Sequence, residues 1–152
     1  MQCAVIEFAR HKLNMTNAHT TEIDKNTPYP VIDLMEEQKN QDNKGGTMRL
    51  GAYQCKIKPN SLASSIYSTE LISERHRHRF EFNNKYMADF EAAGMVFSGM
   101  NPDKNLVEMI ELPGHPWFIG VQFHPEYKST VANHHPLFVS FVKSAIDYCK
   151  SK

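Results

Sequence analysis

Two stretches of strict alternation constrain this chain more than any other feature. Over residues 49–58, Tyr53, Cys55 and Ile57 alternate with Gln54, Lys56 and Lys58, a period of two that fits a half-buried β-strand and no helix. Over residues 72–82 the alternation returns, setting Ser73, Arg75, Arg77 and Arg79 on one face and His76, His78, Phe80 and Phe82 on the other. Strands with one buried face need a sheet and a layer to cover it. Two segments offer that layer. Residues 84–93 place Tyr86, Met87, Phe90 and Ala93 at helical spacing and stop at Gly94, while residues 136–150 put Leu137, Phe141, Ala145 and Tyr148 on one stripe behind Pro136, a residue suited to a first helical turn. The second helix is expected to pack on the sheet. Residues 1–14 also have helical composition, with Cys3, Ile6, Phe8 and Ala9 as an apolar stripe. No Ser, Thr, Asp or Asn precedes them as a cap, so this helix reads as cut rather than started.

Shorter apolar runs at residues 31–34, 95–99, 106–112 and 117–123 predict further strands, separated by turn signals at Asn101-Pro102-Asp103 and Pro113-Gly114-His115-Pro116. Residues 61–67 predict one or two helical turns, and the polar stretch around Lys39-Asn40-Gln41-Asp42-Asn43-Lys44 a mobile loop. The mixture predicts an α/β domain. A length of 152 residues suffices for one domain with one core and not for two.

Charge and cysteine usage remove several function classes. Seventeen basic residues balance 17 acidic ones, leaving no global field to attract nucleic acid or an anionic membrane. No run of apolar residues is long enough to span a bilayer, and no secretory leader is visible, so a cytoplasmic chain is expected. The three cysteines, Cys3, Cys55 and Cys149, have no paired spacing, which argues for reduced, mostly buried thiols rather than a disulfide framework or a zinc site.

Chemistry is concentrated at Phe118-Ile-Gly-Val-Gln-Phe-His-Pro-Glu126, where an apolar strand delivers a histidine and a carboxylate at its end. His124 can act as a general base near neutral pH, and Glu126, just past a stiffening proline, can fix its tautomer. The alternative is a satisfied histidine beside a solvated glutamate. In Glu74-Arg-His-Arg-His-Arg79 the arginines on alternate positions can clamp a carboxylate or phosphate through forked donors, or simply pair with surface acids. The eight histidines include His76 and His78 on one strand face, but no acid or cysteine stands at a familiar ligand spacing, so no metal is expected. Gly45-Gly-Thr-Met-Arg-Leu-Gly51 lacks the ending of a phosphate loop and suggests tight backbone packing, with Arg49 as a polar anchor.

Several of these runs together resemble one family. Met1-Gln2, Asn17-Ala-His-Thr-Thr-Glu22, Gly45-Gly-Thr-Met-Arg-Leu-Gly51, Glu74-Arg-His-Arg-His-Arg-Phe80 with Asn83-Asn84, and His115-Pro-Trp-Phe118 through Gln122-Phe-His-Pro-Glu126 are similar to the glutaminase half of the CTP synthases. The His-Pro-Glu triplet alone points to any class I (triad) glutamine amidotransferase. The glycine-rich and arginine-histidine runs are the more specific. The resemblance implies a flavodoxin-like class I glutamine amidotransferase domain that hydrolyses L-glutamine to glutamate and ammonia. His124 and Glu126 would be catalytic; Gln2, Glu22 and Arg79 would bind glutamine. It also implies a synthetase domain as partner, where ATP and Mg²⁺ drive amination of UTP to CTP, and a homotetrameric enzyme. No cofactor is expected on this chain.

In the family the nucleophile lies in Cys-Leu-Gly-Met-Gln, so Met1-Gln2 would end that motif and the nucleophilic cysteine would precede residue 1. Cys3 is not its equivalent. Residues 1–152 are therefore expected to form a partial domain, truncated at its N-terminus and inactive alone. The other readings are a non-catalytic remnant or regulatory module of the same fold, or another class I glutamine amidotransferase.

Overall fold

A computed structural model describes residues 1–34 and 48–152. The loop expected around Lys39–Lys44, and Gly45, Gly46 and Thr47 of the glycine-rich run, lie outside the described residues. In chain order the elements are α1 (Gln2–Lys12), β1 (Ala18–Thr20), β2 (Tyr29–Asp33), β3 (Arg49–Ile57), α2 (Leu62–Tyr67), β4 (Leu71–His78), β5 (Glu81–Phe82), α3 (Met87–Ala92), β6 (Val96–Met100), β7 (Val107–Glu111), β8 (Ile119–Val121) and α4 (Pro136–Lys150).

The strands form two sheets, ordered β1-β2-β5 and β4-β3-β6-β7-β8. The flavodoxin-like resemblance implies a parallel sheet; among the described residues only β1 and β2 pair in parallel, and every pairing of the larger sheet is antiparallel. The short connections between β6, β7 and β8 suit antiparallel neighbours, which need only a turn.

α1 forms because Val5, Ile6, Phe8 and Ala9 recur at helical spacing, and all four are buried. Its first turn has no side-chain cap, as the sequence suggests, while Arg10, His11 and Lys12 complement the carbonyl dipoles of its last turn. The Arg10 Nε donates to the Ala18 carbonyl at 3.0 Å and so fastens the helix to β1. Phe8 stacks on Phe90 of α3 at 5.4 Å, and Phe82 of β5 meets Phe90 edge-on at 5.2 Å. These rings fill one core between the helices and the small sheet.

The second core lies on the other side of the larger sheet and contains Cys55, Ile57, Ala63, Ile72, Met109, Phe123 and Leu137. Successive residues of β7 serve both: Met109 faces the second core and Ile110 the first, as pleating requires. β7 is consequently buried along its whole length. Gly99 permits this close packing, since a β-carbon there would stand 2.6 Å from both Cys55 Sγ and Met109 Cγ.

Three further expectations need correction. The alternation over residues 72–82 is not one strand: β4 ends at His78, and Glu81 already pairs with Asp33 in the other sheet. Side chains close this crossover. His78 Nε2 lies 2.8 Å from Glu81 Oε1, which also accepts from Arg49 Nη1 at 3.2 Å. Arg79 therefore does not share a face with Arg75 and Arg77. Second, α4 does not lay its apolar stripe on a sheet. Leu137 is its one buried residue, whereas Phe138, Val139, Phe141, Val142, Ile146 and Tyr148 are exposed. Its first turn is held by Trp117 Nε1 donating to Ser140 Oγ at 2.8 Å, and by the Trp117–Phe141 ring contact. Periodicity specifies an apolar face without specifying what lies against it. Third, Cys3 and Cys149 are exposed and only Cys55 is buried, because the two exposed thiols sit on the outer faces of α1 and α4. Among the described residues no helix is long and apolar enough to cross a membrane.

Candidate active site

β8 ends at Val121, and the chain then runs along β7, with the Gln122 N–H donating to the Glu108 carbonyl at 2.9 Å. Phe123 enters the core, and Pro125 opens a single 3₁₀ turn, Pro125–Lys128. Proline fixes φ for that turn, and Glu126 is thereby brought back toward the imidazole two residues before it. His124 Nδ1 and Glu126 Oε1 are 2.6 Å apart. An ionised carboxylate only accepts, so Nδ1 carries the proton and the Nε2 lone pair is left to a reacting group. The side chains are 36% and 54% exposed, so substrate and solvent reach both. Desolvation pushes the Glu126 carboxyl up, but the His124 hydrogen bond, a backbone amide and the imidazole charge outweigh it and hold the carboxyl below its ordinary value.

The turn is attached to β4 at three alternate positions. The His124 N–H donates to the Arg75 carbonyl at 2.8 Å, Lys128 Nζ to the Ser73 carbonyl at 2.6 Å, and Arg77 Nη1 to the Tyr127 hydroxyl at 3.3 Å. The Tyr127 ring lies nearly parallel to the His124 imidazole, at 5.2 Å and 25°. Arg75 and Arg77 are exposed beside this turn, while Arg79 sits apart in the crossover between sheets. The three-arginine clamp is not formed.

Gln2, at the start of α1, donates through Nε2 to the Phe80 carbonyl at 2.9 Å. The same oxygen accepts from Gln122 Nε2 at 2.8 Å. Residues 2, 79, 80 and 122 to 126 are thus drawn into one region. Strand register sets the end of the small sheet at which Glu22 lies. Thr20 pairs with Ile32 and Ile32 with Phe82, so residues after β1 and residues before β5 leave the small sheet at the same end. The Thr21 hydroxyl donates to Asp33 Oδ1 at 2.6 Å, and the Glu22 N–H to Thr20 Oγ1 at 3.2 Å, which shapes the turn on which the exposed Glu22 carboxylate stands.

Beneath these residues lies a buried polar cluster in which Arg49, His76 and His78 meet Glu81 and Glu108. The Arg49 guanidinium reaches Glu108 Oε1 at 2.7 Å and Glu81 at 3.2 Å, and lies over the Tyr53 ring at 4.5 Å. His76 packs on Phe123, with its Nδ1 at 3.6 Å from Glu108 Oε2. Burial, reinforced by the Arg49 charge and by His78 and His124, pushes His76 down to about 3, so it is neutral at pH 7. Burial likewise pushes Glu108 up to about 7, against the pull of Arg49 and with the help of Glu81. A second buried pair, Glu74 and His135 at 3.0 Å, joins β4 to the start of α4. Burial and the charges of Glu108 and Glu74 push the Cys55 thiol far up, which leaves it unreactive. Cys3 is exposed in the first turn of α1. Among the described residues no three metal-ligating side chains converge.

Gln122 and Tyr127 are the site residues the motif reading passed over. Tyr127 follows His-Pro-Glu directly and Gln122 stands two residues before it, where a buried glutamine signals a hydrogen bond.

Residues 1–144 match the glutamine amidotransferase class-I family. Among curated relatives, the chain is 60% identical over 147 residues to a CTP synthase of Flavobacterium johnsoniae, covering 97% of this chain and 27% of that protein. It is 59% identical over 152 residues to one of Cytophaga hutchinsonii, and 58% over 148 residues to one of Aquifex aeolicus, covering 28% of each. The chain thus spans little more than a quarter of the length of these relatives. It also superposes on the glutaminase domain of Trypanosoma brucei CTPS, solved with bound acivicin, at a TM-score of 0.89 and 35% identity. That match covers 97% of this chain and 57% of the other.

Proposed function

Because the chain belongs to the class-I glutamine amidotransferase family, we propose that it is the glutamine-hydrolysing portion of a CTP synthase, working in the cytoplasm within a longer polypeptide. The observation that carries this reading is the 2.6 Å contact between His124 Nδ1 and Glu126 Oε1. It turns Nδ1 toward Glu126 and leaves Nε2 free to face a reacting group beside the residues that would bind the substrate.

In this reading His124 Nε2 takes the thiol proton of a cysteine that precedes Met1 in the longer polypeptide, and the sulfur attacks the side-chain amide carbon of glutamine. As the C–N bond breaks, protonated His124 gives its Nε2 proton to the departing nitrogen, which leaves as ammonia. His124 next takes a proton from water. The resulting hydroxide attacks the thioester, releasing glutamate and the thiolate, which takes its proton back from His124. Glu126 holds the ring and offsets its charge while it is an imidazolium. Arg79 pairs with the substrate α-carboxylate, Glu22 with its α-ammonium, and Gln2 adds amide hydrogen bonds. The ammonia passes to a synthetase domain, where ATP and Mg²⁺ support amination of UTP, in a homotetramer. No residue described here is assigned to ATP or Mg²⁺.

Two assays test this. In the full-length enzyme, His124→Ala abolishes glutamine-dependent CTP formation and spares the ammonia-dependent reaction; loss of both would refute the assigned role. Residues 1–152 alone release no ammonia from glutamine, with or without Cys3→Ser. Turnover that Cys3→Ser abolishes would make Cys3 the nucleophile and overturn the placement of Met1-Gln2 at the end of the elbow.

A further inference from the structure

We infer that Tyr127, held by Arg77, is a positioning residue for the His124 imidazole, so that one arginine of the Arg-His-Arg-His-Arg run serves the catalytic base and not the substrate. The inference rests on the role of His124 proposed above.

An imidazole that must deliver a proton to a leaving nitrogen and then take one from water needs a fixed ring plane. One hydrogen bond does not supply it. The bond from Nδ1 to Glu126 fixes one in-plane direction but leaves the ring free to tilt about that axis, and the Glu126 side chain is itself half-exposed. Tyr127 supplies the missing restraint by covering a ring face at 5.2 Å. Its own backbone is fixed, because its N–H donates to the His124 carbonyl at 3.1 Å. Its far end is fixed by Arg77 Nη1 at 3.3 Å.

Arg77 comes from β4, and β4 also accepts the His124 and Lys128 donors at residues 75 and 73. The period of the strand therefore places three supports under one short turn. Arg77 points outward, as the alternation over β4 requires, and its recorded partner is this hydroxyl rather than an acid. An aromatic face also favours the imidazolium formed midway through the reaction.

The distinguishing feature is which part of Tyr127 matters. Stacking is the principal restraint and the hydroxyl contact an auxiliary one, so the effects of substitution should be graded. Tyr127 is an exposed turn residue with few core contacts, and its variants are expected to fold.

The test measures glutamine hydrolysis by the full-length enzyme for Tyr127→Phe, Tyr127→Ala, Arg77→Ala and His124→Ala, with ammonia-dependent CTP formation as the control. Tyr127→Ala lowers kcat about tenfold or more with little change in KM for glutamine, the loss expected when a reacting group is misplaced. Tyr127→Phe retains most of the activity, and Arg77→Ala falls between the two. The upfield ring-current shift of the His124 ring protons is present in the wild type, kept in Tyr127→Phe and lost in Tyr127→Ala. If His124→Ala abolishes turnover while Tyr127→Ala leaves kcat unchanged, or acts on KM alone, the positioning role is wrong and the catalytic reading stands. If His124→Ala keeps its turnover, both fall.

Discussion

The side-chain amides of Gln2 and Gln122, 120 positions apart in the sequence, donate to one acceptor, the carbonyl oxygen of Phe80, at 2.9 and 2.8 Å. The first opens α1, the second precedes the His124 turn, and Phe80 follows Arg79. The residues proposed to recognise the substrate and those proposed to move protons are therefore fastened at one atom.

Gln122→Met keeps the length of the side chain and removes the donor. Phe80 retains the Gln2 contact, so the stability cost is about 1 kcal/mol, the net worth of an ordinary hydrogen bond. The larger effect falls on KM for glutamine, which rises because the Arg79–Phe80 crossover is released from the catalytic strand. Urea denaturation and steady-state kinetics measure the two separately; an unchanged KM would show that the shared oxygen is structural only.

Arg49→Met strands the buried Glu108 carboxylate and leaves Glu81 with His78 alone, both carboxylates being essentially inaccessible to solvent. Breaking one side of a buried ion cluster costs roughly 3–5 kcal/mol. Adding Glu108→Leu to Arg49→Met recovers part of that loss, because one unpaired carboxylate disappears with it. A double variant less stable than Arg49→Met in chemical denaturation would contradict this account.

Glu108 and His76 make opposite contributions to the pH dependence of stability. Glu108 moves from 4.5 to about 7, so the folded chain keeps a proton that the unfolded chain has released. Its contribution is full below pH 4.5 and lost as pH rises to about 7. His76 moves from 6.5 to about 3, so its contribution is full above pH 6.5 and lost as pH falls to about 3. Between pH 4.5 and 6.5 the slopes oppose one another, each with a limit of about 1.4 kcal/mol per pH unit. Glu108→Gln removes one of them and exposes a steady fall in stability from pH 6.5 toward acid. Parallel denaturation profiles for variant and wild type over that interval would exclude Glu108 as a titrating group.

Glu126→Gln retains shape and removes the charge that balances the imidazolium. The carboxyl is held below its ordinary value and is ionised at neutral pH, so the substitution acts on kcat across that range. A loss of roughly 10²-fold or more is expected, within the range of general acid–base contributions, with KM for glutamine unchanged. Thermal denaturation should show little difference, since Glu126 is 54% exposed.

Much of this site is legible along the chain because period two and period 3.6 are local properties. The alternation at β3 and β4 gives the strands and their buried faces, and His-Pro-Glu gives the dyad, since its members are two residues apart. What escapes is set by distant partners. Nothing in Ala18-His-Thr20 marks a strand; it becomes one by pairing with β2. The break after His78 carries no glycine or proline, because Glu81 and Arg49 close the turn through side chains. Glu108 occupies a strand position that periodicity cannot distinguish from a solvent-facing one, yet it is buried against Arg49. The apolar face of α4 is visible in the sequence, while its exposure here is a property of the residues opposite it.

The crossover from β4 to β5 gives Arg79 a mechanical role. Between His78 and Glu81 the chain leaves one sheet and joins the other, so Arg79 stands on the seam between two layers. A ligand that grips its guanidinium acts as a rivet. Sliding of one sheet over the other strains that grip, and occupancy of the site resists the shear. With the substrate carboxylate held by Arg79, as proposed above, the two sheets would be tied to each other through the ligand.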